Sequence, residues 1–311
     1  MPRVLLVGDV MIDMIVRPEG PIAVGSDRRA TIRARPGGSA ANQAAWLAHF
    51  GVPARLVGRV GAADRETQLA LFAKAGVEAH LAADESRETG RLIALIDPSG
   101  ERSFFTDRGA NDGLSASDIP DALFAGVDHV HISGYSFVAE GPRAAMIDLI
   151  ARAKARRVPV SVDPASSEFL REVGPQNFLA WTAGVDMCFP NEDEALTLTG
   201  ATRTDEQLAR LAAHYRLVVL KRGAAGCEAA EGAEGVKRWR AATPKVAALD
   251  TTGAGDAFFA GFLSAHLAGA ALEACLHRAA EAGARATLVV GGRPQTPRPA
   301  ERGEGGREAA G

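Results

Sequence analysis

The stretch DTTGAGDAFFAGF, residues 250–262, decides how this chain is read. Gly253 and Gly255 flank Ala254, Asp256 follows at once, and small and apolar residues continue from there. A glycine turn leading into a helix leaves backbone N–H groups that no helical carbonyl satisfies. Those donors and the positive end of the helix dipole form an anion site. Glycine lets a phosphate approach with no Cβ in the way. The turn Gly253, Ala254, Gly255 therefore reads as donors to a phosphate or to a phosphoryl group in transfer. Asp256 falls in the first helical turn beside that anion, where a phosphate site alone has no use for a carboxylate. Taken by itself, Gly-x-Gly-Asp is weak evidence, and a helix cap is its ordinary explanation.

The rest of the chain supplies the frame. Its 311 residues are 47% hydrophobic, enough for one large α/β domain with a sizeable core. A net charge of −3 gives no basic surplus for nucleic acid or an anionic membrane. Arg28, Arg29, Arg33 and Arg35, like Lys237, Arg238 and Arg240, are interleaved with apolar residues and read as solvated strand edges. Cys188, Cys227 and Cys275 show no CxxC spacing and read as reduced and buried, as in a cytoplasmic protein. The apolar N-terminus is too short to span a bilayer, and Asp9 and Asp13 interrupt it.

Apolar runs at 4–7, 55–60, 128–133, 158–163, 185–189 and 217–220 read as strands. Helical patterns fall at 39–50, 65–75, 142–156, 192–199, 205–215, 256–267 and 271–287. This alternation predicts an α/β fold, a mostly parallel central sheet with helices on both faces. Residues 15–35 and GRLIALIDPSGERSFFTD (90–107) break the alternation; the second reads as a hairpin turning at DPSG. Together they predict a small β-sheet lid from about 14–36 and 90–108, within one domain spanning 1–299, while 300–311 reads as a disordered tail.

No GxxxxGK[ST] occurs, so this is not a P-loop chain. Instead DTTGAGDAFFAGF resembles the C-terminal signature of the ribokinase-like (PfkB) carbohydrate kinases. RPGGSAANQAAWLAHFG (35–51) resembles their N-terminal glycine-pair signature, PNEDEA (190–195) their Asn-x-x-Glu element, and LKRGAAGC (220–227) their nucleotide-side strand and turn. The four elements stand in the family's order.

The resemblance implies an ATP-dependent sugar kinase. Asp256 falls where the family has its general base, and Gly253 to Gly255 at its anion hole. On physical grounds, a carboxylate at a helix N-terminus is expected to be ionised at neutral pH. Glu194 is implied to order water around Mg²⁺, although Asn191 and Glu194 also spell a capping box, and both readings stand. Asn191, Lys221, Gly223 and Gly226 are implied to lie along ATP, with Lys221 either reaching phosphate or solvated. Asp250, with the 287–292 loop, is the candidate site for a monovalent cation such as K⁺.

On the substrate side the resemblance implies Asp13, placed at the end of the first strand, Gly37, Gly38 and Asn42, with Arg108 and Asn111 from TDRGAND. A carboxylate can accept from two neighbouring hydroxyls, as polyol binding asks. Asp163 is either a further site residue or a turn residue. Relatives commonly pair lids across a homodimer, which is expected here.

Three departures weaken ribose itself as the substrate: Met11 where ribose kinases carry asparagine, Ser39 where they carry lysine, and Gly134-Tyr135 where they carry an acid. GDVMID (8–13) resembles heptose-phosphate kinases of the same superfamily. Fructose, keto-deoxy-gluconate, a sugar phosphate or a nucleoside remain as substrates, with Arg35 or Arg108 pointing to an acidic sugar or sugar phosphate. The alternatives are a nucleoside kinase, a non-catalytic sugar or nucleoside sensor, and the hydroxymethylpyrimidine-kinase branch. The retained Asp256 speaks against the sensor and the two β-type insertions against the last.

Overall fold

A computed structural model describes residues 2–22, 24–97, 102–232 and 237–295. The DPSG turn and the 300–311 tail lie largely or wholly outside them.

The chain starts with β1 (Val4–Val7), whose four side chains are all buried. Side chains of a strand alternate between faces, so Leu5 and Val7 enter one hydrophobic core while Val4 and Leu6 enter another on the opposite face. A continuous apolar run is what a strand covered on both sides requires.

Around β1 the large sheet takes in β4 (Ala54–Gly61), β5 (Glu78–Asp84), β8 (His129–Ser133), β9 (Val160–Asp163), β10 (Met187–Cys188), β11 (Leu217–Lys221), β12 (Cys227–Glu231) and β13 (Lys237–Ala241). Among the described residues the order is β13-β12-β11-β10-β9-β8-β1-β4-β5. Pairing is parallel from β5 through β11 and antiparallel for β12 and β13.

The chain runs outward from β1 to β5, then returns to β8 on the other side of β1. That reversal opens a crevice at the carboxyl ends of β1 and β8, where such sheets bind ligands. Gly8 sits at this point; a Cβ there would come within 2.7 Å of Ser133 Cβ and 2.8 Å of Ala40 Cβ.

Helices α1 (Ser39–His49), α2 (Arg65–Lys74), α8 (Ala254–Leu267) and α9 (Leu272–Ala286) cover the Val4/Leu6 face. Helices α3 (Glu140–Ala155), α4 (Ser167–Val173), α5 (Pro175–Trp181), α6 (Glu192–Thr199) and α7 (Thr204–Ala212) cover the other. The α8–α9 contact is close because Gly261 meets Ala282 and the Arg278 carbonyl with no side chain between.

The two non-alternating stretches do form a separate small sheet, of order β3-β2-β6-β7, from β2 (Met11–Pro18), β3 (Ala30–Gly37), β6 (Thr89–Ile96) and β7 (Arg102–Gly109). The 90–107 stretch is an antiparallel pair, as its turn signal indicates. β3 and β13 are edge strands, which explains their interleaved arginines and lysine. The three cysteines are buried and unpaired. No helix among the described residues is long and apolar enough to cross a membrane.

The expectation that Asp13 ends the first strand is corrected. β1 stops at Val7, the chain bends through Gly8–Val10, and Asp13 sits in β2 of the small sheet, paired with Arg35 in β3.

Candidate active site

Asp9, just past β1, organises the crevice. Its Oδ2 accepts from the Ser39 N–H at 2.8 Å and its Oδ1 from Ser133 Oγ at 2.7 Å. Helix α1 has Gly38 at its N-cap position, with φ 92 and no side chain to cap it. Asp9 supplies that cap from another element, as an N-terminal helix amide requires. The glycine is needed because a Cβ would lie 2.9 Å from the Asp9 carbonyl carbon and closer still to its oxygen.

Fixed in this way, α1 presents Ser39 and Asn42, one turn apart, to α8. Ser39 Oγ donates to Asp256 Oδ1 at 2.8 Å, and Asn42 Nδ2 donates to Asp256 Oδ2 at 3.0 Å. Asp256 stands in the first turn of α8, after the Gly253 N-cap in the left-handed conformation (φ 74). A Cβ on Gly253 would overlap Gly292, and one on Gly292 would overlap the Asn42 amide. The turn 253–255 and Gly292 thus pack backbone to backbone, with the Asn42 side chain of α1 against Gly292. Trp46 Nε1 closes the joint by donating to the Gly292 carbonyl at 2.9 Å.

Ionised Asp256 at neutral pH was expected from the helix dipole, and the surroundings reverse this. Burial pushes its carboxyl up to about 8, with Asp163 and Asp9 adding to the rise against the Asn42 and Ser39 hydrogen bonds. The cost of removing a charge from water exceeds what those donors return.

Asp13 faces the same crevice beneath Gly37, where any Cβ would overlap its carboxylate. Burial, then the Asp9 charge, raises Asp13 to about 6, with Arg293 opposing. Arg108, on β7, lies 5.4 Å from the Tyr135 ring centroid and 3.3 Å from Asp112 Oδ1. Neither that Nε nor that oxygen completes a hydrogen bond. Asn111 turns inward instead: it accepts from Val10 N–H at 2.9 Å and donates to the Val10 and Arg108 carbonyls, so it fastens the end of β7 to the β1–β2 connection.

On the far side of Asp256 is a cavity of about 440 Å³ bounded by Lys221, Gly223, Gly226, the 243–248 segment, Gly255, Phe258 and Gly283. Its apolar walls and glycine turn suit a flat base and a sugar. Gly226 is forced, since a Cβ would overlap the Ala241 carbonyl.

Lys221 does not lie out in solvent. It pairs with Asp163 at 2.6 Å, and its Nζ is 3.6 Å from where a Cβ on Gly255 would be, so the charge sits under the amide turn. Burial works against the ammonium, but Asp163 and Glu194 outweigh it and hold its pKa above the ordinary value.

Asn191 and Glu194 form the full capping box: Asn191 Oδ1 accepts from Glu194 N–H at 2.8 Å, and Glu194 Oε2 accepts from Asn191 N–H at 2.8 Å. Oε1 takes Asn191 Nδ2 at 2.7 Å. Burial, opposed by Lys221, pushes Glu194 up to about 8.

Among the described residues no group of three or more His, Cys, Asp or Glu is arranged to hold a metal. Magnesium, which keeps most of its water and leans on phosphate oxygens, needs no such cage. Both Glu194 oxygens already accept from Asn191, and a role through water fits this donor set.

These features combine an amide turn at a helix N-terminus, a carboxylate beside it, a second buried carboxylate in the crevice and an apolar cavity lined by a glycine turn. Residues 1–299 match the pfkB family carbohydrate kinase. The chain belongs to the pfkB family of carbohydrate kinases. As a family member it is a phosphotransferase that acts on a sugar hydroxyl. It is 31% identical over 299 residues to the ATP-dependent ribose-1-phosphate kinase of Halopiger xanaduensis, covering 91% of each chain. Among solved structures, adenosine kinase from Sinorhizobium meliloti matches with a TM-score of 0.85 and 25% identity, over 95% of this chain and 96% of that one. A putative ribokinase II from E. coli, solved with ATP and Mg²⁺, shares the fold at a TM-score of 0.83 and 21% identity, over 94% of both.

Four residues of this pfkB-family site were not assigned by the motifs. Ser39, noted only as a departure, bonds the Asp256 carboxylate. Asp9, Ser133 and Arg293 complete the frame. Asp9 carried a usable signal, a carboxylate after a buried strand, whereas Ser133 and Arg293 carried none.

Proposed function

We propose that the chain transfers the γ-phosphoryl group of ATP, carried with Mg²⁺, to a hydroxyl of a small sugar that bears an anionic group. Asp256 is the general base, drawing the proton from the attacking hydroxyl as the new O–P bond forms. The amides of Gly253 to Gly255 stabilise charge on the transferring group, as phosphoryl transfer chiefly requires. Asp13 holds sugar hydroxyls across Gly37, Gly38 and Asn42. Lys221, Gly223 and Gly226 line the ATP cleft, and Asn191 shapes its edge through Glu194.

The carrying observation is the Asp256 carboxylate, held by Ser39 and Asn42 beside the amide turn, between the Asp13 crevice and the 440 Å³ cavity. The anionic group is argued from Arg108, whose guanidinium stands over Tyr135 and whose Nε, 3.3 Å from Asp112 Oδ1, completes no hydrogen bond there. The name of the Halopiger relative, a kinase of ribose-1-phosphate, supports the same class. A nucleoside acceptor is the second reading, favoured by the adenosine kinase likeness.

The test is ATP consumption against panels of sugar phosphates, sugar acids, neutral sugars and nucleosides, with Asp256→Asn as control. Preference for the anionic sugars, lost in Arg108→Met, supports the reading. Preference for neutral sugars or nucleosides refutes the anionic assignment, and a fully active Asp256→Asn refutes the base.

The small sheet serves as a lid that excludes water from the reaction. Its outer face carries Ile32, Ile93 and Phe105 at 59%, 42% and 60% exposure. Met14, Ile93 and Phe105 stand in register across β2, β6 and β7. A second copy of the chain covers this face in a homodimer. A cytoplasmic location belongs to the same reading, supported by the buried free cysteines. So does a monovalent cation such as K⁺ near Asp250. That carboxylate already ties the 250–252 turn to the later loop by accepting from Thr252 at 2.7 Å and from Gly291 N–H at 3.0 Å.

A further inference from the structure

Arg293 belongs to none of the sequence motifs, yet its side chain reaches the active site from the segment after α9. Its Nε donates to Asn42 Oδ1 at 3.4 Å and its Nη2 to the Gly37 carbonyl at 3.2 Å. The guanidinium rests 4.6 Å from the centroid of the Phe72 ring. Phe72 is fully buried, so this seat is fixed by the core.

A side-chain amide can be placed either way round, with oxygen and nitrogen exchanged. Arginine is a donor only. With Arg293 on one edge of Asn42, the amide oxygen faces the guanidinium, and the amide nitrogen is left to face Asp256 Oδ2 at 3.0 Å. With Asp256 ionised, as a base must be, the reverse placement would set oxygen against the carboxylate and N–H against the guanidinium, repulsive on both sides. The same guanidinium holds the carbonyl of Gly37, the residue whose missing Cβ makes room for Asp13.

We propose that Arg293 is a positioning residue for the phosphoryl-transfer base. It fixes the direction of the Asn42 amide and the place of the Gly37 turn, and so delivers a hydrogen-bond donor to Asp256 and seats Asp13. The inference rests on the reading of Asp256 as the base.

The groups facing Asp256 define what a pH profile reports. Helix α1 contributes the Ser39 and Asn42 donors, the turn after β1 contributes Asp9, and the end of β9 contributes Asp163. β11 contributes Lys221, and the C-terminal segment contributes Arg293, whose charge acts on both Asp13 and Asp256. Removing Arg293 subtracts a cation and releases the Asn42 donor, and both changes disfavour the carboxylate. The acid limb of the rate profile then moves to higher pH.

The experiment compares wild type, Arg293→Met, Arg293→Lys and Asp256→Asn on the accepted sugar, with kcat, KM and kcat/KM measured from pH 6 to 9. Arg293→Met is expected to lower kcat by about tenfold to a hundredfold, the scale of a small misplacement of a catalytic group. Its acid limb should move up by about half a pH unit or more. Arg293→Lys, which keeps the charge, should hold the limb near its wild-type place. Arg293 lines a solvent-open cavity of about 490 Å³, a route by which guanidinium can reach the vacated seat. Millimolar guanidinium should therefore restore Arg293→Met several-fold, which a purely structural role would not allow.

The proposal is overturned by wild-type kcat and an unmoved acid limb in Arg293→Met. It is equally overturned by activity loss without a limb shift and without guanidinium rescue. Should Arg293→Met fail to fold, Arg293→Lys decides: a wild-type limb with reduced kcat supports the role, and a limb shifted despite the retained charge overturns it. An active Asp256→Asn would instead remove the base reading itself, so the two failures are told apart.

Discussion

Replacing Asp256 with asparagine should stabilise the fold while abolishing turnover. The folded carboxyl sits at about 8 against an ordinary 3.8, and burial is the main cause. At pH 7 the unfolded chain has released this proton and the folded chain has kept it. The gap of about 3 pK units is worth ~4 kcal/mol of lost stability at ~1.4 kcal/mol per unit. The side chain is partly open to the crevice, so solvent screening reduces the expected gain to ~2 kcal/mol.

The asparagine strands no partner. Its oxygen can accept from Asn42 and its NH₂ can donate to Ser39 Oγ, a hydroxyl that both donates and accepts. The sign follows from linkage. A raised carboxyl pKa means that stability is fully present below 3.8 and is drawn down as pH rises toward about 8. The variant has no such loss. Its advantage should vanish near pH 4, grow through neutrality and level off above pH 8. Urea unfolding of both proteins at pH 4, 6 and 8 measures this, while turnover should fall by at least about 10²-fold. In the wild type, kcat/KM should climb toward pH 8 as the base ionises. A stability difference independent of pH, or a variant less stable at pH 8, would refute burial as the source of the shift.

Gly37→Ala places a Cβ on the Asp13 carboxylate, so KM for the sugar should rise by about tenfold or more with little change in thermal midpoint; kinetics and a melt check both. Lys221→Met leaves Asp163 and Glu194 buried without their cation and should cost about 3 kcal/mol in denaturant unfolding. Ala165 holds φ 89 between Asp163 and Ser166, so Ala165→Gly should gain ~1 kcal/mol in the same assay. Phe105→Glu on the outer face of the small sheet should yield monomers by light scattering if a second copy covers that face.

Much of the fold was legible because buried parallel strands announce themselves as apolar runs and α7 and α9 as periodic ones. β5 and β12 were not. Their sequences, EAHLAAD and CEAAE, lack the β-branched runs of the central strands, and pairing with neighbouring strands makes them strands. The Asp13 assignment slipped for a related reason. MPRVLLVGDVMIDMIV looks continuous, and nothing local in it says that the chain leaves one sheet for another at Gly8. The site was legible where glycine geometry and motif coincide, at 37–38 and 253–256. The protonation of Asp256 was not. It is set by Asp9, Asp163 and burial, contributions from distant sequence that no window contains. Arg293 was invisible because its contacts, to Asn42 and the Gly37 carbonyl, lie 251 and 256 residues away.

The two halves of the site are built with different rigidity, and this bears on how they meet. Asp256 rides on α8, where Ala257 through Leu263 are all buried against the sheet and α9. Moving it would open the core. Asp13 rides on the small sheet, whose outer face is solvent-facing and which joins the body at glycine-bearing crossings: Gly8 before β2, Gly37-Gly38 at the end of β3 and Gly109 at the end of β7. Gly38 and Gly109 hold φ 92 and 51, backbone that other residues adopt only at a cost. Asn111 bolts the last crossing to Val10 with paired hydrogen bonds, which couples the first and last crossings. In the proposed mechanism, closure over a substrate is a rotation of the small sheet toward a base held on α8. Asn111→Ala should uncouple the crossings, raising KM and lowering kcat together while the Asp256 pH profile stays in place. A shifted profile with unchanged KM would mean that the base moves with the small sheet, and the division into fixed and moving halves would fail.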